Sequence, residues 1–205
     1  MKNPIRTINS LLALVVAAAL LNGCSSQKNV TRLETDTTID LSGDWNDTDS
    51  RLVAEALVKD VLTRPWVADY QRVNHKNPVV IVGTVKNRTS EHIATIVFTK
   101  DMERELTNSG RVTLVASSEE RSEVREERES QQENASLETM KKLQQETGAD
   151  FMLRGDITSV IDQVEGEQVK FYQVNLELVN IEKNEKVWIG DKKIKKYISR
   201  SGSKF

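Results

Sequence analysis

The chain has 205 residues, of which 38% are apolar and 29% charged, and its formal net charge of −2 argues against a chain-wide basic surface of the kind that binds nucleic acid. This length suffices for one domain of about 100–200 residues with short appendages. One Cys and two His leave most metal sites and nucleophile–base pairs incomplete. The composition therefore disfavours an enzyme and predicts no metal or other cofactor.

The N-terminus has the features of a secretory signal peptide. Lys2 and Arg6 precede an unbroken apolar run of eleven residues, Leu11 to Leu21. Such a run matches the core of a signal peptide and is about half of the ~20 residues that a membrane-spanning helix needs. Residues 1–23 are therefore predicted to be a signal peptide.

The residues around the only Cys, Gly23-Cys24-Ser25, resemble a bacterial lipobox, in which the chain is cleaved before the Cys and a diacylglycerol joins its thiol. We predict that Cys24 is the lipidation site. An acylated amine would bring the total to three chains, more than the two signals that stable anchoring requires. Ser25 in place of an Asp resembles an outer-membrane sorting signal. The alternative is an ordinary buried Cys after a short membrane anchor.

Residues 24–43 are predicted to form the lipidated Cys and a flexible tether. Ser25 to Leu41 is polar, rich in Thr and Asp, and lacks an apolar period. Fully stretched, this segment spans at most ~60 Å. The globular domain is predicted over residues 44–200, and residues 201–205 are predicted to be a disordered tail.

Helices and strands alternate in the first half of the domain. A helix is predicted from Asp47–Asp49, which offers three N-caps, to Thr63, where Pro65 stops it. The strand Val79–Val85 is apolar on both faces, which predicts burial from both sides. A helix and the strand Arg111–Ala116 then complete a right-handed βαβ unit. The predicted core stripes of the two helices are Leu52, Val53, Ala56, Leu57, Val61 and Leu62 in the first, and Phe98, Met102 and Leu106 in the second.

The segment Glu119–Glu133 contains seven Glu and three Arg. It is interpreted as a solvated helix or flap, with an acidic docking surface as the alternative. Ser117-Ser118 is interpreted as a helix cap. A short helix is predicted from Ser136 to Gly148.

The last third alternates apolar and polar residues, which is typical of half-buried strands. Runs near Phe151–Ile161 and Tyr172–Leu178 are predicted to form a hairpin through Glu165-Gly166-Glu167, and Val187–Ile198 a final strand. The predicted fold class is therefore α/β (α+β), a single domain with a mixed sheet of about five strands. A βαβ unit comes first, an antiparallel meander forms the C-terminus, and helices pack on the sheet. Trp45, Trp66 and Trp188 are predicted to pack into the core.

The sequence offers little for catalysis. No phosphate-binding Gly loop or Gly-x-Ser-x-Gly turn is present. His75 and His92 are interpreted as solvated side chains, and no catalytic residue is predicted. A hydrolase would need several acids, Asp156 among them, gathered in a deep pocket.

The polar side of the late strands is the predicted partner-binding face. Its residues are Arg154, Asp156, Thr158, Gln173, Asn175 and Glu177. Arg154 and Asp156 lie two residues apart on one face, where they form either a structural charge pair or a partner contact. An uncovered sheet face would have the same polar character.

A basic stretch follows near the C-terminus. It comprises Lys192, Lys193, Lys195, Lys196, Arg200 and Lys204. It either attracts an acidic protein patch or anionic lipid, or protects a sheet edge from aggregation.

Several motifs, in order, resemble the LpoB family of outer-membrane lipoproteins that activate bifunctional penicillin-binding proteins. More distantly they are similar to the α/β domains of CsgG and of the TolB amino terminus. The motifs are the lipobox, Asp44-Trp45-Asn46, Val79–Val85 leading into Asn87-Arg88-Thr89, Asn108-Ser109-Gly110-Arg111 leading into Val112-Thr113-Leu114-Val115, Gly148-Ala149-Asp150 and Val187-Trp188.

The resemblance implies a non-enzymatic lipoprotein, anchored in the outer membrane through Cys24 and facing the periplasm. Its partner would be a class A penicillin-binding protein, whose peptidoglycan synthesis it would activate. The well-known members have a long Pro-rich tether, whereas no Pro lies between Cys24 and Pro65 here. The alternative function is a structural or secretion-associated periplasmic lipoprotein, like CsgG, without a synthase partner.

Overall fold

A computed structural model describes residues 29–136, 138 and 146–199. The predicted signal peptide, Cys24, the tail 201–205 and most of the helix predicted from Ser136 to Gly148 lie outside the described residues. The chain divides into two compact units, Met1–Thr37 and Thr38–Phe205. In the first unit, residues 29–37 are exposed, and Thr37 N donates to Glu34 O at 3.1 Å.

The second unit contains four helices and five strands within its described residues. The helices are α1 (Asp47–Thr63), α2 (Trp66–Asn74), α3 (Thr95–Asn108) and α4 (Ser118–Asn134). The strands are β1 (Val79–Asn87), β2 (Thr113–Leu114), β3 (Phe151–Val164), β4 (Glu167–Asn180) and β5 (Lys186–Ser199).

The five strands form one mixed sheet in the order β2-β1-β3-β4-β5. β1 pairs in parallel with both β2 and β3, so β1, α3 and β2 make the predicted βαβ unit. β3, β4 and β5 are antiparallel neighbours and make the predicted meander. The predicted fold class is confirmed.

The core lies between α1, α3 and one face of the sheet. Phe98, Met102 and Leu106 of α3 are buried as predicted, and they share one cluster with alternate residues of β3 and β4. The predicted stripe of α1 is wrong at Leu52, which is 45% exposed. Ala54 and Val58 occupy the core instead, because the buried stripe is rotated by about one residue from the predicted one.

Beyond its first residue, Val79, β1 is buried on one face only, so the prediction of burial from both sides is wrong for most of the strand. Val80, Val82 and Val85 are buried, whereas Ile81 is half-buried and Thr84 is exposed. The register shifts between Val82 and Val85, which returns Val85 to the core. β-branched residues favour a strand whether or not a second layer covers it, so the run alone does not report burial.

Reciprocal capping boxes begin α1 and α4. Asn46 caps α1, not Asp47, Thr48 or Asp49 as predicted, because Asp49 serves as the N3 residue and accepts from Asn46 N at 3.0 Å. Ser117 caps α4 together with Glu120, which confirms the predicted cap. No residue of α4 is buried, so the solvated helix predicted for Glu119–Glu133 is also confirmed.

α2 was not predicted. Pro65 stops α1 and then serves as the N-cap of this nine-residue helix. Its sequence lacks the long apolar stripe by which a helix is predicted, and only Val67 of α2 is fully buried. Trp66 holds α2 to α1, since its indole donates to Val61 O at 2.7 Å.

The three Trp side chains pack as predicted. Trp188 is buried, and Trp45 and Trp66 are partly buried against the core. The indole N–H of Trp188 donates to Asp60 Oδ2 at 2.8 Å, and that of Trp45 to Ser50 Oγ at 2.8 Å.

In the part of the chain that the structure describes, no helix has both the length and the apolar character needed to cross a membrane.

Candidate partner-binding face

The face of the meander opposite α1 and α3, here called the outer face, is formed by every second residue of β3, β4 and β5. Successive side chains of a strand point to opposite sides of a sheet. Tyr172, Val174, Leu176 and Leu178 of β4 point into the core, and the residues between them are half-buried. The outer face is therefore the side on which a partner would find polar side chains.

The structure brings all six predicted binding residues together on this face. The register pairs Arg154 with Glu177, Asp156 with Asn175, and Thr158 with Gln173. These three pairs are consecutive, so the six side chains form one continuous patch, here called the polar rows. The antiparallel hairpin that joins them was itself predicted from the alternation.

Glu177 joins two cations across the first polar row. Arg154 Nε lies 2.7 Å from Glu177 Oε1, and Lys186 Nζ lies 2.5 Å from Glu177 Oε2. The hydrogen bond from Lys186 holds the pKa of Glu177 below its ordinary value, and that from Arg154 adds to the effect against the opposing influence of burial. Glu177 thus keeps its negative charge and fixes both cations.

Asp156 anchors the second polar row. It accepts from Asn175 Nδ2 at 3.0 Å and lies 3.4 Å from Arg88 Nε. Gln173 Nε2 donates to Asn175 Oδ1 at 2.7 Å, which links the second row to the third. Arg154 and Asp156 share a face as predicted, and their ion pairs are with Glu177 and Arg88, not with each other.

The first two polar rows line an open concavity of about 310 Å³. Its walls are Thr84, Lys86, Arg88, Arg154, Gly155, Asp156, Asn175, Leu176, Glu177 and Ile189. Its carboxylates face cations or amides, an arrangement suited to directional hydrogen bonds with a protein surface. Because their side chains are already held in place, little side-chain entropy would be lost on binding.

Beyond the polar rows, the outer face becomes apolar. This apolar part was not predicted from the sequence. Val160 pairs with Phe171, and the next row places Val169 beside Asp162 and Tyr197. Val160 and Tyr197 are 65% and 63% exposed. The sequence does contain a signal for it. These positions follow the two-residue repeat that places polar residues on the outer face, yet they carry apolar residues.

The predicted basic stretch divides between the two faces of β5. Lys193 and Lys195 are exposed on the outer face, opposite Gln173 and Phe171. Lys196 points the other way, and its side chain is only 9% exposed. Lys196 therefore does not contribute to an exposed basic strand end. Arg200 and Lys204 lie outside the described residues.

Lys196 and Lys170 hold the segment before α1 against the core side of the hairpin. Lys196 Nζ lies 2.6 Å from both Asp40 Oδ1 and Asp49 Oδ2. Lys170 pairs with Asp44 and with Glu91, the latter at 2.8 Å. No local sequence signal identifies this network, because its partners are up to 156 residues apart.

The family model of the peptidoglycan-synthase activator LpoB matches residues 49–194. No curated protein matches the chain. Among solved structures, the LpoB C-terminal domain from Salmonella enterica is 18% identical with a TM-score of 0.42, and that from Escherichia coli is 16% identical with a TM-score of 0.44. Each alignment covers 71% of this chain and 98% of the other.

The matched residues run from the first turn of α1 into the last strand, β5. They include all of the polar rows and most of the core. The chain therefore belongs to the family of the peptidoglycan-synthase activator LpoB.

Proposed function

We propose that this protein binds a bifunctional class A penicillin-binding protein through the polar rows and thereby activates peptidoglycan synthesis. The observation that carries the proposal is the family match over residues 49–194, which includes all six predicted binding residues. The outer face supports it, because its charged side chains are fixed by neighbours and lie on rigid strands.

The proposed mechanism is a shift in population. A bound activator raises the synthase's rate when it has higher affinity for the active conformation than for the inactive one. The activator itself contributes no reacting group in this scheme. A tenfold preference for the active conformation corresponds to about 1.4 kcal/mol of binding free energy.

The proposed location is the periplasmic side of the outer membrane. Residues 1–23 would direct export, acylated Cys24 would anchor the chain, and the following residues up to 43 would link the anchor to the domain. Residues 44–200 would form the globular binding domain and residues 201–205 a disordered tail.

The test is a polymerisation assay with the mature lipidated protein in detergent and each class A penicillin-binding protein of the same bacterium. We expect one of them to polymerise lipid II faster at saturating activator. Thr158→Arg places a long cation in the third polar row and should raise the Kd for that synthase at least tenfold. Thr107→Arg, at an exposed position of α3, is the matched control and should leave the Kd for that synthase unchanged.

The assay contradicts the proposal if no synthase responds to saturating wild-type protein. It also contradicts the polar rows as the site if Thr158→Arg and Thr107→Arg bind equally well. Thermal unfolding of both variants shows that any difference comes from the surface and not from loss of the fold.

A further inference from the structure

The apolar part of the outer face, here called the distal patch, consists of Val160, Phe171, Val169 and Tyr197. It spans three neighbouring strands, since Val160 pairs with Phe171, and Val169 pairs with Tyr197. Phe171 and Val169 are half-buried, and the other two side chains are mostly exposed. Phe171 and Tyr197 supply two aromatic rings on one face of the sheet, and aromatic residues are enriched at the centres of interfaces.

Two cations border the distal patch on β5. Lys195 lies opposite Phe171, and Lys193 lies opposite Gln173, where the polar rows begin. Lys193 lies 3.3 Å from Asp191, while Lys195 forms no salt bridge with any described residue. The patch therefore combines an apolar centre with a positive rim on its β5 side, and it is continuous with the polar rows.

We propose that the distal patch is the apolar anchor of the synthase-binding surface, and that it takes a protein surface whose apolar side chains are bordered by carboxylates. This inference rests on the proposed function and adds to it the chemistry of the partner. The polar rows then set the register of the complex, while the distal patch supplies most of the affinity. Buried aromatic residues commonly dominate binding energy, and surrounding charges mainly set the rate and specificity of association.

The surroundings of the patch argue against a lipid surface. Asp162 lies in the patch's second row, and Glu165 and Glu167 lie at the hairpin turn just beyond it. All three residues are exposed. An anionic bilayer that received the patch would meet these carboxylates as well as the two lysines, and the repulsion would offset the attraction. A protein surface avoids this repulsion by placing its carboxylates opposite Lys193 and Lys195 only.

The rim also argues against a second copy of the chain. A two-fold symmetric dimer places the same patch on both sides of the interface. Lys193 and Lys195 would meet their own copies if they lie near the two-fold axis, and buried like charges there oppose association. A partner with carboxylates at the matching positions removes this conflict.

The test compares the Kd for the synthase identified above between the wild-type mature protein and the double variant Val160→Thr/Tyr197→Thr. Thr favours a strand as Val and Tyr do, and both positions are largely exposed, so the fold should survive. We expect at least a tenfold increase in Kd. Val73→Thr changes a valine of α2 that is 70% exposed and should leave the Kd unchanged.

A second arm tests the charge of the rim. Lys193→Glu/Lys195→Glu should weaken binding at least tenfold at low salt and should flatten the salt dependence of the Kd. Lys76→Glu/Lys183→Glu makes the same change in charge at two exposed positions away from β5 and should have little effect.

The outcomes separate this inference from the proposed function. If Thr158→Arg weakens binding while the Val160/Tyr197 variant binds like wild type, the polar rows stand and the distal patch is overturned. If wild-type protein binds no synthase, the proposed function itself fails, and this inference fails with it.

Two further results would overturn the inference in favour of another occupant. The first is quenching of a fluorophore at Val160→Cys by nitroxide lipids, in vesicles of phosphatidylethanolamine and phosphatidylglycerol without synthase. The second is a wild-type dimer in sedimentation velocity that the Val160/Tyr197 variant dissociates. The expected results are an unquenched fluorophore and identical sedimentation of the two proteins.

Discussion

Glu177 shows how single side chains keep the outer face ordered. Its carboxylate is 20% exposed and contacts two cations from different strands, Arg154 of β3 and Lys186 of β5. Three strands are thus linked through one side chain. An isolated surface ion pair contributes little to the free energy of unfolding. A shared carboxylate holds two cations while only one acidic side chain has to be fixed.

Glu177→Gln is expected to lower the free energy of unfolding at pH 7 by about 0.5–1 kcal/mol. Because the folded-state pKa of Glu177 lies below its unfolded value, its contribution is complete above the unfolded pKa and disappears as the pH falls through the folded pKa. The difference from wild type should therefore vanish well below pH 4.5, the ordinary value. Urea unfolding at pH 7 and pH 2.5 measures both values.

The control for this prediction is Glu182→Gln, at an exposed position in the turn between β4 and β5. It should change stability little at either pH. If Glu177→Gln lowers the free energy of unfolding by the same amount at pH 7 and pH 2.5, the shape of the side chain matters and its charge does not.

At the scale of elements, the contact between β3 and β4 positions the polar rows. Gly155 lies on β3 between Arg154 and Asp156, opposite Leu176. A Cβ atom there would lie 2.0 Å from Asn175 O and 2.7 Å from Leu176 Cδ2. Only a residue without a side chain lets the two strands pair at this point.

Gly155→Ala is expected to destabilise the domain by about 1–3 kcal/mol, because the strands must separate to make room for the methyl group. Denaturant unfolding measures the loss. Gly148→Ala is the matched control, since no described residue apart from its chain neighbours lies within 4 Å of its added Cβ, and it should change stability by less than about 0.5 kcal/mol. Equal stability of the two variants would refute the role assigned to Gly155.

The charged helix α4 differs from the other three described helices because it has no buried residue. Lys100 of α3 pairs with Glu120, and Arg125 pairs with Glu146 at 2.7 Å. The hydrogen bond from Lys100, with that from Ser117 N, lowers the pKa of Glu120 to about 2. Among the described residues, ion pairs and a capping box thus define the position of α4.

At the scale of the whole molecule, the predicted lipid anchor at Cys24 would decide where the domain works. The second compact unit begins at Thr38, so the segment from Cys24 to Thr38 would set its reach from the membrane. Fully extended, this segment spans at most ~50 Å. A partner in the opposite membrane would have to supply the remaining distance.

We predict that the mature protein begins with acylated Cys24 and fractionates with the outer membrane. Ser25→Asp should move it to the inner-membrane fraction, since Ser25 resembles an outer-membrane sorting residue. Intact-mass spectrometry and density-gradient fractionation check the two parts. Asp36→Asn, farther along the chain, is the control and should stay with the outer membrane. A mature protein without fatty acid would contradict the prediction.

The sequence by itself determined most of the elements and the composition of each of their faces. A stripe at helical spacing identified Phe98, Met102 and Leu106, and alternation identified the six residues of the polar rows. These patterns are local, because they follow from 3.6 residues per turn and from the two-residue repeat of a strand. The family resemblance was likewise readable from the order of short motifs along the chain.

Only the tertiary structure decided what lies opposite each face. The sequence could not show that helices cover only one side of β1, because a β-branched run suits both a covered and an uncovered strand. Nor could it show that Lys196 turns inward to Asp40 and Asp49 while Lys195 stays exposed. The reason is that burial of a charge depends on partners brought close by folding, and no local period of the sequence records them.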